Sequence, residues 1–276
     1  MHGIALTALW VAARRSIESE RPDALFHDPF ARTLAGAEGF AVLEAARAVT
    51  SVDPPTIPVR TRFYDERIVG ERQVVLLAAG MDARAYRLAW PAGTCVFEVD
   101  QPEVLALKAR RLADAVPACT RFVVPADLRD DWPAALVARG FDPGVPTTWL
   151  VEGLLVYLDA AAVHGLFARL DLLAHPGSVL LADVPGSAFL ATPHLRPMVD
   201  FVAGLGAPWK FGTDEPEALL APLGWEVTAH DLATVATALG RWPYPVAAPR
   251  LRGPRSYLVE AIKRGWCSGQ RPAGAA

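Results

Sequence analysis

Short apolar runs separated by helix-like segments dominate the middle of the chain. Each run is rich in valine and leucine and is four to six residues long. Uninterrupted apolar runs of this length are typical of strands in a parallel sheet that helices cover on both faces. The pattern therefore predicts a doubly wound α/β fold with strands at residues 74–79, 94–99, 121–124, 148–151 and 178–182.

The regions on either side of these runs have a different pattern. Residues 1–70 are rich in good helix formers, and Asp28-Pro29 supplies a cap and a first-turn proline for one helix. After Asp183 a proline-containing segment precedes two more strand candidates, at 225–230 and 256–262. We therefore expect a helical prefix before the sheet and a covering segment near its end.

Composition and charge narrow the class of protein. The chain has 276 residues, of which 52% are hydrophobic and 21% charged, as expected for one globular domain. Its net charge of -3, without a run of like charge, disfavours nucleic acid as a partner. The three cysteines have no Cys-x-x-Cys spacing, which predicts neither disulfides nor a metal site and fits a reducing cytoplasm.

Membrane insertion and secretion are also disfavoured by the sequence. The apolar stretch at residues 3–13 precedes Arg14 and Arg15, whereas a secretory signal places its positive charge first. The apolar stretch at 149–158 is shorter than a membrane span and contains Glu152. We expect a cytoplasmic protein with no membrane partner.

Candidate binding residues follow the first three predicted strands. Ala79 and Gly80 end the first strand, and a glycine there lets a ligand approach the backbone closely. The alternative is an ordinary strand-to-helix turn, and for Asp82 we favour a helix-capping role. Asp100 follows Gly80 by 20 residues, a spacing at which a carboxylate meets a ribose diol. Asp100 could also cap the helix that follows, and the two roles are compatible.

The third junction contains Asp127 and Leu128. The carboxylate of Asp127 could accept a hydrogen bond from the amino group of adenine, while a backbone N–H meets a ring nitrogen. The alternative is a solvated turn, because Arg129, Asp130 and Asp131 follow directly.

The glycine pattern indicates which nucleotide these junctions bind. A dinucleotide requires G-x-G-x-x-G and a helix start free to bind pyrophosphate. This chain has a single glycine there, and the charge of Asp82 would repel a diphosphate. S-adenosylmethionine (SAM) has no phosphate, and its sulfonium and amino groups tolerate carboxylates. We therefore predict SAM as the cofactor and S-adenosylhomocysteine (SAH) as its product.

Seven motifs occur in order along the chain, at residues 7–15, 21–31, 60–65, 78–88, 97–104, 126–132 and 152–158. Together they resemble bacterial members of the leucine carboxyl methyltransferase family. The resemblance implies a class I SAM-dependent methyltransferase fold, with a mostly parallel sheet of seven strands whose last strand is antiparallel. The founding chemistry of the family is methylation of a carboxylate, and the resemblance leaves the acceptor open.

Two further cofactor-binding residues are implied mainly by the resemblance. Arg62 would clamp the carboxylate of SAM, although it could instead pair with Glu66 one helical turn away. Glu152 would face the amino group of SAM or the site of transfer, since a carboxylate at an apolar strand end requires a partner. With Asp100, Asp127 and Leu128, these residues complete the predicted SAM site.

The methyl acceptor is predicted less completely. A carboxylate is ionised at neutral pH and requires no base, whereas a phenol or alcohol does. His194 is the only suitable base, so we favour an O-methyltransferase acting on the carboxylate of a small-molecule or polyketide-like substrate of secondary metabolism. The alternatives are a hydroxyl acceptor, a SAM-binding protein that does not methylate, and a nucleotide-binding regulator. Aromatic candidates for the acceptor pocket are Tyr157, Trp209, Phe211 and Trp242.

These assignments divide one domain, residues 1–276, into functional segments. We expect a helical prefix and lid at 1–70, a SAM-binding half at 71–183, an acceptor-side lid with the last strands at 184–264 and a flexible tail at 265–276. The sequence does not predict an oligomeric state.

Overall fold

Seven strands form one sheet in the computed structural model, which describes residues 3–50, 54–244 and 254–265. The strands are β1 (Gln73–Leu77), β2 (Cys95–Asp100), β3 (Thr120–Pro125), β4 (Thr148–Val151), β5 (Val179–Pro185), β6 (Trp225–Asp231) and β7 (Ser256–Lys263). Their order is β3-β2-β1-β4-β5-β7-β6. β7 is antiparallel to both of its neighbours, and the other pairings are parallel. The predicted fold class is therefore confirmed.

Helices precede the sheet, connect its parallel strands and cover the strand ends. Three of them come before β1, where the sequence predicts a helical prefix, and a kink interrupts the second at Gly36, whose φ is +57°. The α-helices are α1 (Ile4–Ser19), α2 (Ala31–Val49), α3 (Thr56–Asp65), α4 (Arg84–Arg87), α5 (Pro102–Arg111), α6 (Trp132–Ala138), α7 (Ala160–Leu173), α8 (Ser187–Leu190), α9 (Arg196–Gly204) and α10 (Leu232–Ala238).

The two faces of the sheet pack against different helices. Val75 and Trp149 point to the face covered by α6 and α7, whereas Val74 and Leu150 point to the face covered by α3 and α10. Successive strand residues point to opposite faces. Both faces are therefore buried, which explains why the central strands are apolar without alternation.

A third apolar cluster lies beyond the carboxyl ends of the strands. Leu9 of α1 packs with Leu34 and Leu43 of α2, and Met81 and Val104 join them from the sheet side. This layer places one face of α1 over the end of β1. Within the described ranges, no helix is long and apolar enough to cross a bilayer. The predicted tail lies, apart from Gly265, outside the described residues.

Candidate functional site

A cavity of about 780 Å³ opens at the carboxyl ends of the parallel strands, next to β1 and β4. The order of the strands reverses between these two, and open α/β sheets bind ligands at this position. The cavity is bounded by the strand ends, α1, the segment after β4 and the segment that contains α8 and α9. Its volume falls within the range of small-molecule sites.

The turn after β1 forms part of the cavity wall. It contains Ala79 and Gly80, which the sequence predicts as binding residues. Gly80 has φ +47°, a left-handed conformation that favours glycine. A Cβ atom there would lie 3.3 Å from the Cβ of Ala8 on α1. The Gly80 N–H donates to Oδ2 of Asp100 at 2.6 Å, so the turn and the end of β2 are held together.

Asp100 lies at the end of β2 and lines the cavity. Its second oxygen, Oδ1, accepts from the N–H of Gln101 at 2.7 Å, so each carboxylate oxygen already holds one backbone donor. Burial raises the pKa of Asp100 despite these hydrogen bonds. Each oxygen keeps a further acceptor position. Asp100 thus binds the local backbone and can also contact a ligand in the cavity.

Asp127 and Leu128 follow β3 and also line the cavity. Oδ1 of Asp127 accepts from the N–H and Nε of Arg129, both at 2.9 Å, and Oδ2 accepts from Arg129 Nη2 at 2.6 Å and Gln101 Nε2 at 3.3 Å. Hydrogen bonding to Arg129 lowers the pKa of Asp127 to about 2. All four acceptor positions of the carboxylate are occupied. An incoming amino group must displace one donor, of which Gln101 is the most distant.

Glu152, at the end of β4, belongs to a chain of buried ion pairs. It accepts from Arg60 Nε at 2.9 Å and from Arg84 Nη1 at 2.8 Å, and Arg60 Nη1 also donates to Asp183 at 2.9 Å. Burial raises the pKa of Asp183, although Arg60 opposes the shift. Burial lowers the pKa of Arg60, but Asp183 and Glu152 raise it by more. The partners of Glu152 in the structure are thus two arginines, and its contact with SAM stays a prediction.

Arg62 does not lie in the cavity. It is 42% exposed on α3 and pairs with Glu66 at 2.6 Å, which was the alternative considered for it. Its Nη1 also donates to the carbonyl of Leu25 at 3.2 Å. Two residues along a helix differ by about 200° in direction, so Arg60 and Arg62 cannot face the same wall. Of these two arginines, Arg60 is the one that lines the cavity.

Asp82 precedes Ala83, the cap residue of α4, so it is not the helix cap favoured for it, although it contacts the start of this helix and lines the cavity. It accepts from the N–H of Arg84 at 2.6 Å at the start of α4, and it pairs with the guanidinium of the same residue. Burial raises the pKa of Asp82, but Arg84 and Lys108 reverse the shift and bring it to about 2. Asp82 therefore carries a negative charge at this helix start.

The four aromatic candidates for the acceptor pocket divide into two pairs. Tyr157 and Trp209 line the cavity, and their side chains lie close together. Phe211 is 8% exposed and packs in the core on the α7 face, while Trp242 packs against the cluster on the α3 face. Phe211 and Trp242 therefore lie outside the cavity lining, because their rings pack against core residues.

His194 lies outside the cavity lining as well. It is exposed in a 3-10 turn, Pro193–Leu195, from which only Leu195 lines the cavity. No histidine is among the described residues that line this space. The structure therefore gives no placement for the base that a hydroxyl acceptor would require.

The sequence did not predict three of the charged residues that line the cavity, Arg60, Asp183 and Arg169. Arg60 stands two positions from Arg62 in the same motif. The sequence therefore identified the motif but not which of its two arginines faces the cavity. Asp183 lies near the end of β5, as Asp100 lies at the end of β2, and this similar position was a signal for it. Arg169 lies in the middle of α7 and gives no sequence signal.

The family model described as "Leucine carboxyl methyltransferase" matches residues 8–171. The chain belongs to this family. It is 50% identical to a Rhodococcus jostii protein, covering 94% of this chain and 96% of the relative. A Streptomyces coelicolor protein is 40% identical, covering 95% and 96%. Both relatives carry the name "Putative S-adenosyl-L-methionine-dependent methyltransferase".

Solved structures support the same fold for this family member. The crystal structure of a protein titled a putative methyltransferase from Thermobifida fusca matches with a TM-score of 0.63 at 19% identity, covering 96% of each chain. That of a duf574 family protein from Streptomyces avermitilis has a TM-score of 0.59 at 18% identity, covering 91% of this chain and 96% of the other. At these identities the likeness shows the fold alone. The class I methyltransferase fold that the resemblance implied is confirmed.

Proposed function

We propose that the protein transfers the methyl group of SAM to a carboxylate of a small, largely apolar acceptor, giving a methyl ester and SAH. Dependence on SAM and methyl transfer follow from the family and from the names of its relatives. The observation that supports a carboxylate is the absence of histidine from the described lining of the cavity. An acceptor that is already an anion requires no base.

The residues at the strand ends fit the parts of SAM in order. Asp100 keeps acceptor positions for the ribose diol, and the loop of Asp127 and Leu128 suits adenine. Arg60 takes the place proposed for Arg62, because its planar guanidinium is suited to a carboxylate. Glu152 and Asp183 surround Arg60 with negative charge that suits the amino group of SAM. When bound, SAM supplies a methyl group that its sulfonium already activates.

The remaining part of the cavity suits an apolar acceptor. Its lining includes the apolar side chains of Val11 in α1, Phe189 in α8, Leu195 in the 3-10 turn and Met198 in α9. The indole N–H of Trp209 is buried there beside the Tyr157 hydroxyl and makes no hydrogen bond of normal geometry with the described residues. A buried donor without a partner is costly, so this N–H is suited to an oxygen of the acceptor.

Tyr157 can orient the acceptor but is not suited to act as its base. Burial raises the pKa of the Tyr157 hydroxyl, although the neighbouring Thr7 and Trp209 oppose the shift. The hydroxyl therefore stays protonated near neutral pH and donates a hydrogen bond. A fixed donor beside the acceptor oxygen lowers the entropic cost of aligning that oxygen with the methyl group of SAM.

The acceptor class can be tested by pH dependence and by product chemistry. If the acceptor is a carboxylate, the rate should be flat above about pH 6, and His194→Ala should leave it nearly unchanged. The product should be an ester that releases methanol in mild alkali. Transfer from labelled SAM to a panel of apolar acids and their hydroxyl analogues would measure this. An alkali-stable methyl ether, with a rate that falls about a hundredfold in His194→Ala, would contradict the proposal.

Cofactor choice gives a separate prediction. Titration calorimetry should show one site for SAM or SAH and no binding of NAD, because the charge of Asp82 and the single Gly80 disfavour a diphosphate. Tight binding of NAD with none of SAM would refute the cofactor assignment, whatever the acceptor is.

A further inference from the structure

The loop after β3, residues 126–131, is proposed to bind adenine, yet few contacts hold it in place. All of its residues are half-buried or exposed, and only Ala126 and Leu128 pack against the core. The N–H of Ala126 donates to the carbonyl of Asp100 at 2.9 Å, which holds only the start of the loop. Asp130 N–H donates to the carbonyl of Asp127 at 2.9 Å, a bond within the loop itself. The outer half therefore requires another anchor.

Arg169 of α7 provides this anchor. Its Nη2 donates to the carbonyl of Leu128 at 2.6 Å and its Nη1 to the carbonyl of Asp130 at 2.7 Å. Among the described hydrogen bonds, no other side chain donates to the carbonyls of residues 127–130. The planar guanidinium presents two donors in a fixed fork, so it sets the spacing of the two carbonyls.

The side chain of Arg169 is itself held in place. Its Nε donates to the carbonyl of Gly165 one turn earlier at 3.3 Å, and its guanidinium carbon lies 5.9 Å from the ring centre of Trp132. Trp132 is fully buried at the start of α6, so it is a rigid neighbour. The fork is therefore positioned by two helices before any ligand binds.

The bond to Leu128 controls Asp127 through one peptide plane. The carbonyl of Leu128 and the N–H of Arg129 belong to the same planar trans peptide and point in opposite directions. Arg169 holds the carbonyl, and the N–H then donates to Oδ1 of Asp127 at 2.9 Å. The orientation of the Asp127 carboxylate thus depends on Arg169, although the two side chains do not touch.

We propose that Arg169 is a positioning residue that holds the loop of Asp127 and Leu128 in the shape that selects adenine over a 6-oxopurine. The proposal rests on the proposed function, in which this loop reads the base of SAM. The Asp127 carboxylate accepts from a 6-amino group but repels a 6-oxo group, which is itself an acceptor. This discrimination requires the carboxylate to stay in place when the base enters.

Calorimetry with SAH and S-inosylhomocysteine tests the proposal without a known acceptor. The wild type should prefer SAH. Arg169→Met should weaken binding of SAH roughly tenfold, because the loop must then be ordered by the ligand, and should weaken the inosine analogue much less. Arg169→Lys should fall between, since an ammonium replaces the fork with a point donor. Arg264→Met, which removes an exposed ion pair with Glu226 on the sheet edge, should match the wild type.

The outcomes separate this proposal from the one on which it rests. If the wild type prefers SAH and Arg169→Met keeps the same preference, Arg169 is not a positioning residue and the adenine loop stands. If Arg169→Met weakens both ligands equally and lowers the melting temperature, Arg169 has only a structural role. If the wild type binds both ligands equally, the assignment of adenine to this loop is wrong, and the role of Arg169 is overturned with it.

Discussion

Replacement of Arg60 by methionine should destabilise the fold by about 3 to 5 kcal/mol and abolish measurable binding of SAH. Arg60 is 8% exposed and pairs with both Glu152 and Asp183. Without it, Asp183 loses its arginine partner at the largely buried end of the sheet, and Glu152 keeps only Arg84. Methionine fills a similar volume, so the loss of stability and of SAH binding would result from the missing charge rather than from a cavity.

Arg62→Met is the matched control for this prediction. Arg62 stands on the same helix, but it is 42% exposed and pairs with an exposed Glu66. Exposed pairs contribute at most about 1 kcal/mol, so this variant should keep nearly full stability and bind SAH normally. Denaturant unfolding and SAH titration of both variants, with Arg60→Lys as a milder change, would measure this. Loss of SAH binding in Arg62→Met with normal binding in Arg60→Met would restore Arg62 as the carboxylate ligand.

Asp100→Asn should weaken SAH binding by about 1.5 to 3 kcal/mol, the contribution of a charged hydrogen-bond acceptor. Asparagine keeps an oxygen for the N–H of Gly80 or of Gln101, so the turn should survive while the charge is lost. Asp114→Asn, at an exposed position after α5, is the control. Unchanged SAH affinity in a folded Asp100→Asn variant would leave Asp100 with its backbone role alone.

The pH dependence of SAH binding should reveal the same group. Burial raises the pKa of Asp100, and the ionised form is the better acceptor for the ribose diol. Affinity should therefore fall as the pH decreases through this raised pKa, beginning at a higher pH than an ordinary aspartate would give. Asp100→Asn should remove this part of the dependence, as calorimetry across the acid range would measure.

The strands could be predicted from the sequence because burial on both faces leaves a simple signal. Runs such as residues 74–79 and 148–151 are apolar throughout, and the structure confirms them as β1 and β4 within a few residues. Carboxylates at the strand ends were also predictable, since parallel strands bring Asp100 and Asp127 to one edge. The local pattern does not, however, fix the order of β6 and β7, which depends on pairings between distant residues.

Side-chain direction is what the sequence could not supply. Arg60 and Arg62 are chemically identical, and only the rotation of α3 decides which one faces the cavity. Trp209 and Phe211 have the same two-residue spacing in a segment without regular secondary structure, where one lines the cavity and the other packs in the core. Arg169 was missed because its partners are backbone carbonyls, which leave no trace in the pattern of residue types.

The position of β7 has a consequence for synthesis of the chain on the ribosome. β7 is the last of the described strands to emerge, yet it lies between β5 and β6. Until residues 256–263 are available, the outer edge of β5 is open and β6 has no partner strand. Open strand edges template pairing between chains, and distant pairings form slowly. The nascent protein is therefore most exposed to aggregation just before its final strand inserts, when a chaperone would protect it most.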